Sequence, residues 1–556
     1  MPEADALALL DGDALALLDA AAARAGDAAA VEAGDTWAAL MERAAGHLAR
    51  GVVAAAGRSY GLKVAVLAGK GNNGGDGWAA AHRLRTMGAQ AWVLAPDGVD
   101  VEVSDEAAAH RAAWRASGGR TSAGTDDLDV AMAWCDVAVD ALLGTGISGA
   151  PRGASGDAAA ALLRAHAAGT TVVACDVPSG VSSDDGSAPD GAVRADVTVT
   201  FGGLKRGLVL HPGAAHAGRV VVGDLGPHYD PGTSRWSALT PAGAAPANLA
   251  PDAEKRARGV VLAVAGAAGT SGAAVLTGGG ALRAGAGLVT IATPEPVRGE
   301  VASRSDAGVM VRGMPADEHG ALDPAAVHAL PDLGGFDVVT IGPGLGHGPG
   351  AAAVVAHLRR TAPRLVLDAD ALNVHRDDPD ALADHVGDLV LTPHERELAR
   401  IGGGEDGADA WAHRVERVPA LAARLQATIV AKGPGTIVAA PDGRVWVTPV
   451  GGPALGSGGT GDTLAGIVAT AIATADDVPL AVAQAVWWHA AAGERCGAPR
   501  AGRATATDVI EALPATLAAL AQERGRLGRA GRSRHLDVRS SVRPGTLAWD
   551  RWLERW

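Results

Sequence analysis

Short apolar runs alternate with helix-length, alanine-rich segments twice along this chain, and nothing else in the sequence constrains its fold so strongly. From Lys63 the runs KVAVLAG, AQAWVLA, CDVAVDAL and TVVACDV are followed by VTVTFGG and GRVVVGDLG. A second series holds VVLAVAG, LVTIATP, FDVVTIGPG, RLVLDAD, DLVLTPH and TIVAKGPG. Strand-length runs spaced by helices build βαβ units around a parallel sheet, so the expectation is α/β, with two three-layer domains. With 556 residues the chain is long enough for both. Only two Phe and two Tyr occur, so the cores must be assembled from Val, Leu, Ile and Ala.

The expected boundaries are residues 1–230 for the first domain, 231–250 for a linker, 251–524 for the second domain and 525–556 for a tail. The linker rests on Pro, Gly, Ala and Ser without periodicity around PHYDPGTSRWSALTPAGAAPANLAPD. The repeated opening, DALALLDGDALALLDAAA, reads as an acidic amphipathic helix, a surface or interface element rather than a site. The tail is rich in arginine, and Trp549, Trp552 and Trp556 share one helical face. Such a stripe docks on a partner or on the protein's own body, and the sequence leaves that choice open.

A formal net charge of −14 argues against a nucleic-acid-binding body. Cys135, Cys175 and Cys496 are too scattered for a disulfide framework or a zinc site, which fits a reducing, cytoplasmic setting. No basic leader or bilayer-length apolar run occurs, so no membrane role is expected.

The stretch VLAGKGNNGGDGW opens the chemistry. Gly69, Gly71 and Gly74 satisfy G-x-G-x-x-G after a strand, and Asp97 lies near the end of the next one. Asp76 complicates a phosphate-binding turn, because a carboxylate there repels pyrophosphate unless it caps the helix. Asn72 and Asn73 offer amide groups suited to a cation or a polar ligand. The other strand ends read VDALLGTGISGAP and CDVPSGV, placing Asp140, Asp176 and Ser179 beside Asn73 on one rim. An all-oxygen set of this kind suits a hard cation such as Na⁺, K⁺ or Mg²⁺.

GNNGGDG, DALLGTG and DVPSG, in that order, resemble the NAD(P)H-hydrate epimerase family over roughly residues 35–226. The resemblance implies that Asn72, Asn73, Gly74, Gly75 and Asp76 contact the substrate. It implies the same for Gly144, Thr145, Gly146, Ile147, Ser148, Gly149, Ala150 and Asp176. Asn73, Asp140 and Ser179 match the family's K⁺ ligands. Asp140 is also the candidate acid/base for epimerisation at C6 of the damaged nicotinamide.

In the second half GGTGDTLAGIVA is a glycine-rich turn opening an apolar helix. Its amides form an anion hole, and Asp462 either moves a proton from a bound hydroxyl or merely caps the helix. No Walker A motif occurs. GAAGTSGAA, IGPGLG, LDADALN, LTPHERE, AKGPGT and GGTGD together resemble the ribokinase-like ADP-dependent NAD(P)H-hydrate dehydratases, over roughly residues 255–520. By that resemblance Ala273, Gly344, His394 and Asp462 contact the hydrate. Lys432, Gly433, Pro434, Gly435, Thr436 and Gly461 contact the nucleotide, with Asp462 catalytic and Mg²⁺ neutralising the phosphoryl group. The family pattern PHPGE is PHERE here, Pro453 stands where Asn is usual, and the usual His-Lys-Gly at the domain's start is missing from EKRARGVV. These departures bear on the geometry of the substrate loops.

The two halves together imply bifunctional nicotinamide-nucleotide repair: epimerisation of R and S NADHX and NADPHX, then dehydration of the S form at the expense of ADP. The expected partners are these small molecules, with no nucleic acid and no membrane, in a homo-oligomer. Three other readings compete: a thiazole- or pyrimidine-type kinase fused to an epimerase-like binding domain, a non-catalytic RNA-metabolism scaffold, and an NAD-dependent oxidoreductase.

Overall fold

In the computed structural model, which describes residues 13–146, 149–230, 234–402 and 413–532, the chain divides near Trp236 into two compact units. The first holds a seven-stranded sheet. Its order is Arg120–Ala123, Gln90–Ala95, Lys63–Ala68, Val137–Ala141, Thr171–Cys175, Val197–Phe201 and Arg219–Gly223, and every neighbouring pair is parallel. The central strands are buried on both faces, as crossover helices require, so they read as unbroken apolar runs rather than alternating ones. One face packs on the helices Trp37–Ala56 and Asn72–Thr86 through Leu48, Val52, Trp78 and Leu84. The other packs on Leu128–Trp134 and Gly153–Ala167. Chain direction along the sheet reverses between Lys63–Ala68 and Val137–Ala141, and crevices open at such switch points beyond the carboxyl ends of strands.

The second unit repeats the scheme. Val309–Met314, Leu288–Pro294, Val260–Val264, Val338–Ile341, Arg364–Leu367, Asp388–Leu391 and Thr428–Ala431 run parallel. Ile437–Ala439 and Val445–Val447 then continue antiparallel. The helices Thr460–Ala473 and Val478–Gly497 are nearly all apolar because they are buried on most of their circumference.

Two expectations are corrected here. The second copy of the opening repeat is a strand, Ala14–Leu18, pairing in parallel with Leu204–Lys205 and burying Leu17 and Leu18. The helix begins only at Ala20, capped by the Asp19 side chain accepting from the Ala22 amide. The run ALALL is too short for its period to decide between helix and strand, and the available ladder decided it. The first copy, residues 1–12, lies outside the described residues. The linker also shortens: Trp236–Leu239 is a strand, and Ala242, Ala244 and Ala245 are buried. Trp488 Nε1 donates to the Ala244 carbonyl at 2.5 Å and Gln484 Nε2 to that of Gly243 at 2.8 Å. This stretch therefore belongs to the second unit.

No disulfide joins the three cysteines. No helix among the described residues is long and apolar enough to cross a membrane. The tryptophans of the tail lie outside the described residues.

Candidate active sites

In the first unit, the glycine loop turns directly from strand into helix. Gly71 is the N-cap of Asn72–Thr86, so Asp76 sits one turn inside the helix and is not the cap. Gly74 is there because a side chain will not fit: a Cβ would stand 1.9 Å from the Gly69 carbonyl oxygen. Asn73 is buried and donates through Nδ2 to the Leu143 carbonyl at 3.0 Å, which ties the first glycine loop to the second.

Leu143 is the centre of this small frame. Its amide donates to Ser179 Oγ at 3.0 Å, and Ser179 in turn donates to Asp140, Oγ to Oδ1 at 2.6 Å and backbone N to Oδ2 at 2.7 Å. Asp140, Asn73 and Ser179 are thus brought together, as the sequence implied. Their donors are all oxygen, with a single carboxylate, and Asn73 leaves its Oδ1 free of the Leu143 contact. That chemistry fits a hard monovalent cation better than a divalent one. Asp140 itself is 0% exposed, with both oxygens engaged. It lies beneath the rim and has no face on the cleft, where a proton-transfer group for a substrate must be.

The cleft holds about 660 Å³ and is walled by Asn72, Asn73, Asp76, Gly144, Thr145 and Gly146, together with Asp176. Gly149 and Ala150 continue that loop, while Ile147 and Ser148 lie outside the described residues. Asp176 has a left-handed backbone (φ 63°), a conformation that costs a non-glycine residue and recurs at functional sites. Its Oδ1 accepts from Lys205 Nζ at 2.7 Å and from Thr200 Oγ1 at 3.0 Å. Burial drives the Asp76 carboxyl well above the usual carboxylate range, and the nearby Asp176 and Asp27 push it the same way. Lys205, buried at 3% exposure, was not singled out from the sequence. Nor was Asp27, which lies on the helix Ala20–Glu32.

In the second unit the corresponding residues again follow carboxyl strand ends. Gly344 has φ 61°, and a Cβ there would meet Ala273 Cβ at 2.9 Å, so these two candidates are neighbours. His394 caps the helix Glu395–Ile401 in a capping box: Nδ1 accepts from the amides of Arg396 and Glu397, and Glu397 accepts from the His394 amide at 2.9 Å. PHERE thus replaces a Pro-Gly turn with a first helical turn that still fixes the ring. Burial and the charge of Lys432 lower its pKa.

Lys432 Nζ binds Asp368 Oδ1 at 2.7 Å, and Thr392 Oγ1 donates to the same oxygen at 2.7 Å. Asp368, 1% exposed, stands in the LDADALN motif, but its role as holder of Lys432 was not legible there. A Cβ on Gly461 would lie 3.4 Å from Lys432 Nζ, which brings the glycine-rich turn against that amine. The loop Gly433–Thr436 is braced by Thr436 Oγ1 donating to the Gly433 carbonyl at 2.8 Å and by Arg414 donating to the Pro434 carbonyl at 3.0 Å. Asp462 is the third residue of the helix Thr460–Ala473, whose cap is Gly459, so the capping alternative falls. Burial, with Asp368 nearby, lifts its carboxyl to about 6. Pro453 opens a short 3₁₀ turn, Pro453–Gly456.

Two family models match these units: YjeF-related protein N-terminus over residues 37–207 and NAD(P)H-hydrate dehydratase over 261–515. The bifunctional NAD(P)H-hydrate repair enzyme of Moorella thermoacetica is 35% identical over 474 residues, 83% of this chain and 88% of that one. Its counterpart from Gloeobacter violaceus is 38% identical over 468 residues, 82% of this chain and 88% of that one. A solved ADP/ATP-dependent NAD(P)H-hydrate dehydratase from Bacillus subtilis is 29% identical, covering 50% of this chain and 95% of its own, with a TM-score of 0.42. With both halves matched in one chain and most of its length shared with these relatives, the protein belongs to the family of bifunctional NAD(P)H-hydrate repair enzymes.

Proposed function

We propose that the first unit interconverts the R and S hydrates of NADH and NADPH and that the second dehydrates the S form at the expense of ADP. The observation that carries this is the presence, in one chain, of two units matched to two steps on one substrate. Only one epimer is consumed in the second step, so coupling it to epimerisation prevents the other from accumulating.

In the first unit, Asn72, Asn73 and Asp76 at the helix N-terminus and the turn Gly144–Gly146 wall the cleft that takes the dinucleotide. Gly74 and Gly75 face the Gly69 backbone and the Met41 and Ala107 side chains and let the helix start there. Asn73, Asp140 and Ser179 would hold K⁺, whose charge would favour an anionic substrate over this frame. In the second unit, Ala273, Gly344 and His394 position the hydrated ring. Asp462 takes the proton from the C6 hydroxyl as its oxygen bonds to the terminal phosphorus of ADP, with AMP leaving. The phosphate on C6 then departs as the N1 lone pair pushes it out, and loss of a C5 proton restores the double bond. Lys432 and the Gly433–Thr436 loop hold the nucleotide and balance charge on its phosphates. Mg²⁺ supplies further charge neutralisation when bound. No cluster of three His, Cys, Asp or Glu able to hold a metal occurs among the described residues, so the nucleotide phosphates would be its main ligands. A cytoplasmic location and homo-oligomeric assembly remain part of the proposal on the sequence reading alone.

The test uses mixed R and S NADH hydrates with K⁺, Mg²⁺ and either ADP or ATP, following dihydronicotinamide absorbance. Full recovery with ADP is expected. Recovery that stops when the S form is exhausted, beyond the spontaneous rate of epimerisation, means an inactive first unit. No recovery with either nucleotide favours the kinase reading.

A pH dependence follows from Asp462. It must be ionised to accept a proton, and its carboxyl titrates at about 6. Dehydration of pure S hydrate should therefore be half-maximal near that pH and fall roughly tenfold per unit below it.

A further inference from the structure

A proton-transfer group for the epimerase step must face the cleft, and Asp140 does not. Five carboxylates do: Asp27, Asp76, Asp97, Glu106 and Asp176, accompanied by one buried cation, Lys205. Asp97 accepts from Ser155 Oγ at 3.3 Å and Glu106 stands in the first turn of the helix Asp105–Ala116, whereas Asp27, Asp76 and Asp176 act electrostatically on one another around Lys205. Lys205 is committed, binding both Asp176 Oδ1 at 2.7 Å and the Phe201 carbonyl at 2.6 Å. Asp176 is fixed by that ion pair and by Thr200. Asp76 lies one turn inside its own helix, and burial together with Asp176 and Asp27 pushes its carboxyl well above the usual carboxylate range, against the opposing charge of Lys205.

Asp27 differs from the other two carboxylates of that cluster. Its helix, Ala20–Glu32, precedes the span matched by the family model. It delivers a half-buried carboxyl to the cleft wall, and no described residue donates a hydrogen bond to it. The helix is seated by Tyr229, whose ring fills the space beside Gly26 and Gly202: a Cβ would lie 2.8 Å from the Tyr229 hydroxyl at Gly26 and 2.3 Å from the ring at Gly202. Asp27 is therefore both placed and unengaged. Burial and the Asp176 charge raise its carboxyl, Lys205 opposes them, and the balance falls at about 6. A carboxyl near that value can both take and return a proton at neutral pH.

Building on the epimerase reading, we propose that Asp27 is the catalytic residue that exchanges the proton during inversion at C6. C6 of the hydrate is a hemiaminal, bearing a hydroxyl and bonded to N1. The Asp27 carboxylate takes the hydroxyl proton, the O–H pair forms the aldehyde C=O, and the C6–N1 pair moves to N1. Asp27 then passes the proton to N1. Rotation about the C5–C6 single bond presents the opposite carbonyl face, N1 attacks it, and the proton travels back through Asp27 to oxygen. No proton, electron or co-reactant is consumed.

The experiment follows R-to-S conversion by chromatography in the full chain without nucleotide, first in the unsubstituted protein. No epimerisation there overturns the functional reading and this assignment together. With the wild type active, Asp27→Asn is expected to lower kcat roughly 100-fold or more while KM changes less than threefold. Dehydration of pure S hydrate should be unchanged. The wild-type kcat should fall on the acid side with a midpoint near pH 6, and Asp27→Glu, which keeps the carboxylate, should retain an acid limb with a shifted midpoint. The titratable groups that interact with Asp27 are Asp76, Asp176, Lys205 and Tyr229; Arg24, Lys70, Asp97 and Glu106 also line the cleft. A D27N rate within threefold of wild type, a loss confined to KM, or an acid limb identical in wild type and D27E overturns the assignment.

Discussion

Asp462→Asn is expected to lower dehydration of the S hydrate about 10³-fold, with epimerisation of the same sample untouched. Asparagine keeps the shape of the side chain but cannot accept the hydroxyl proton, and general-base contributions of this kind are worth roughly 10²–10⁴-fold. Because Asp462 is the third residue of its helix and not the cap, its removal leaves the N-terminus of Thr460–Ala473 intact. The loss should therefore fall on kcat with little change in KM for ADP. Stopped assays on pure S hydrate, with ADP varied, separate the two parameters. A tenfold rise in KM with kcat preserved would make Asp462 a binding residue instead.

Gly74→Ala should give the converse pattern. Its methyl would be placed 1.9 Å from the Gly69 carbonyl oxygen and 2.7 Å from that carbonyl carbon, and no real contact is that short. Both partners are backbone, so no rotamer change relieves the overlap. The turn between Lys63–Ala68 and Asn72–Thr86 has to open, and Asn73 moves with it, off the Leu143 carbonyl. A displacement of about 1 Å in a positioning loop costs on the order of 10²-fold in rate. Epimerisation should fall by at least that much, while dehydration of pure S hydrate continues. Chromatography of the epimers together with the absorbance assay reads both activities, and equal loss of the two would show that the substitution unfolds the whole chain.

The residues that the sequence made legible share one property: they stand in short motifs directly after strands. GNNGGDG, DALLGTG and DVPSG each begin where a parallel strand ends, so strand prediction and the rule that ligands bind at carboxyl ends already placed Asn73, Asp140 and Ser179 on one rim. The same holds for Gly344, His394 and Lys432. What that logic misses is depth. Asp140 belongs to the rim in sequence yet is sealed beneath it by Ser179 and Leu142, because its oxygens satisfy their amides there. It misses equally the residues that reach a site from elsewhere. Asp27 comes from an early alanine-rich helix with no motif around it. Lys205 follows a strand but sits in a two-residue pairing with Leu17 and Leu18 that no local pattern announces. Asp368 was visible in LDADALN, but its bond to Lys432 crosses 64 positions of chain.

The misread opening repeat has the same origin. A five-residue apolar run is equally compatible with a strand and with part of a helix, and pairing with Leu204–Lys205, far along the chain, resolves it. Similarly, the Ala/Pro/Gly text near Trp236 has linker composition. Its carbonyls nonetheless receive hydrogen bonds from Gln484 and Trp488, which composition cannot foresee.

The Asp368–Lys432 pair has a kinetic consequence. Burial alone would favour a neutral amine, but Asp368, Glu397 and Asp462 together hold Lys432 above the ordinary lysine value. If Lys432 holds the nucleotide as proposed, that grip carries a charge that acid does not change, whereas the proposed base beside it, Asp462, loses its own near pH 6. Acidification should stall the enzyme with ADP still bound. In a cell whose pH falls, repair would stop as an occupied, waiting complex that resumes on neutralisation without having to recapture its nucleotide.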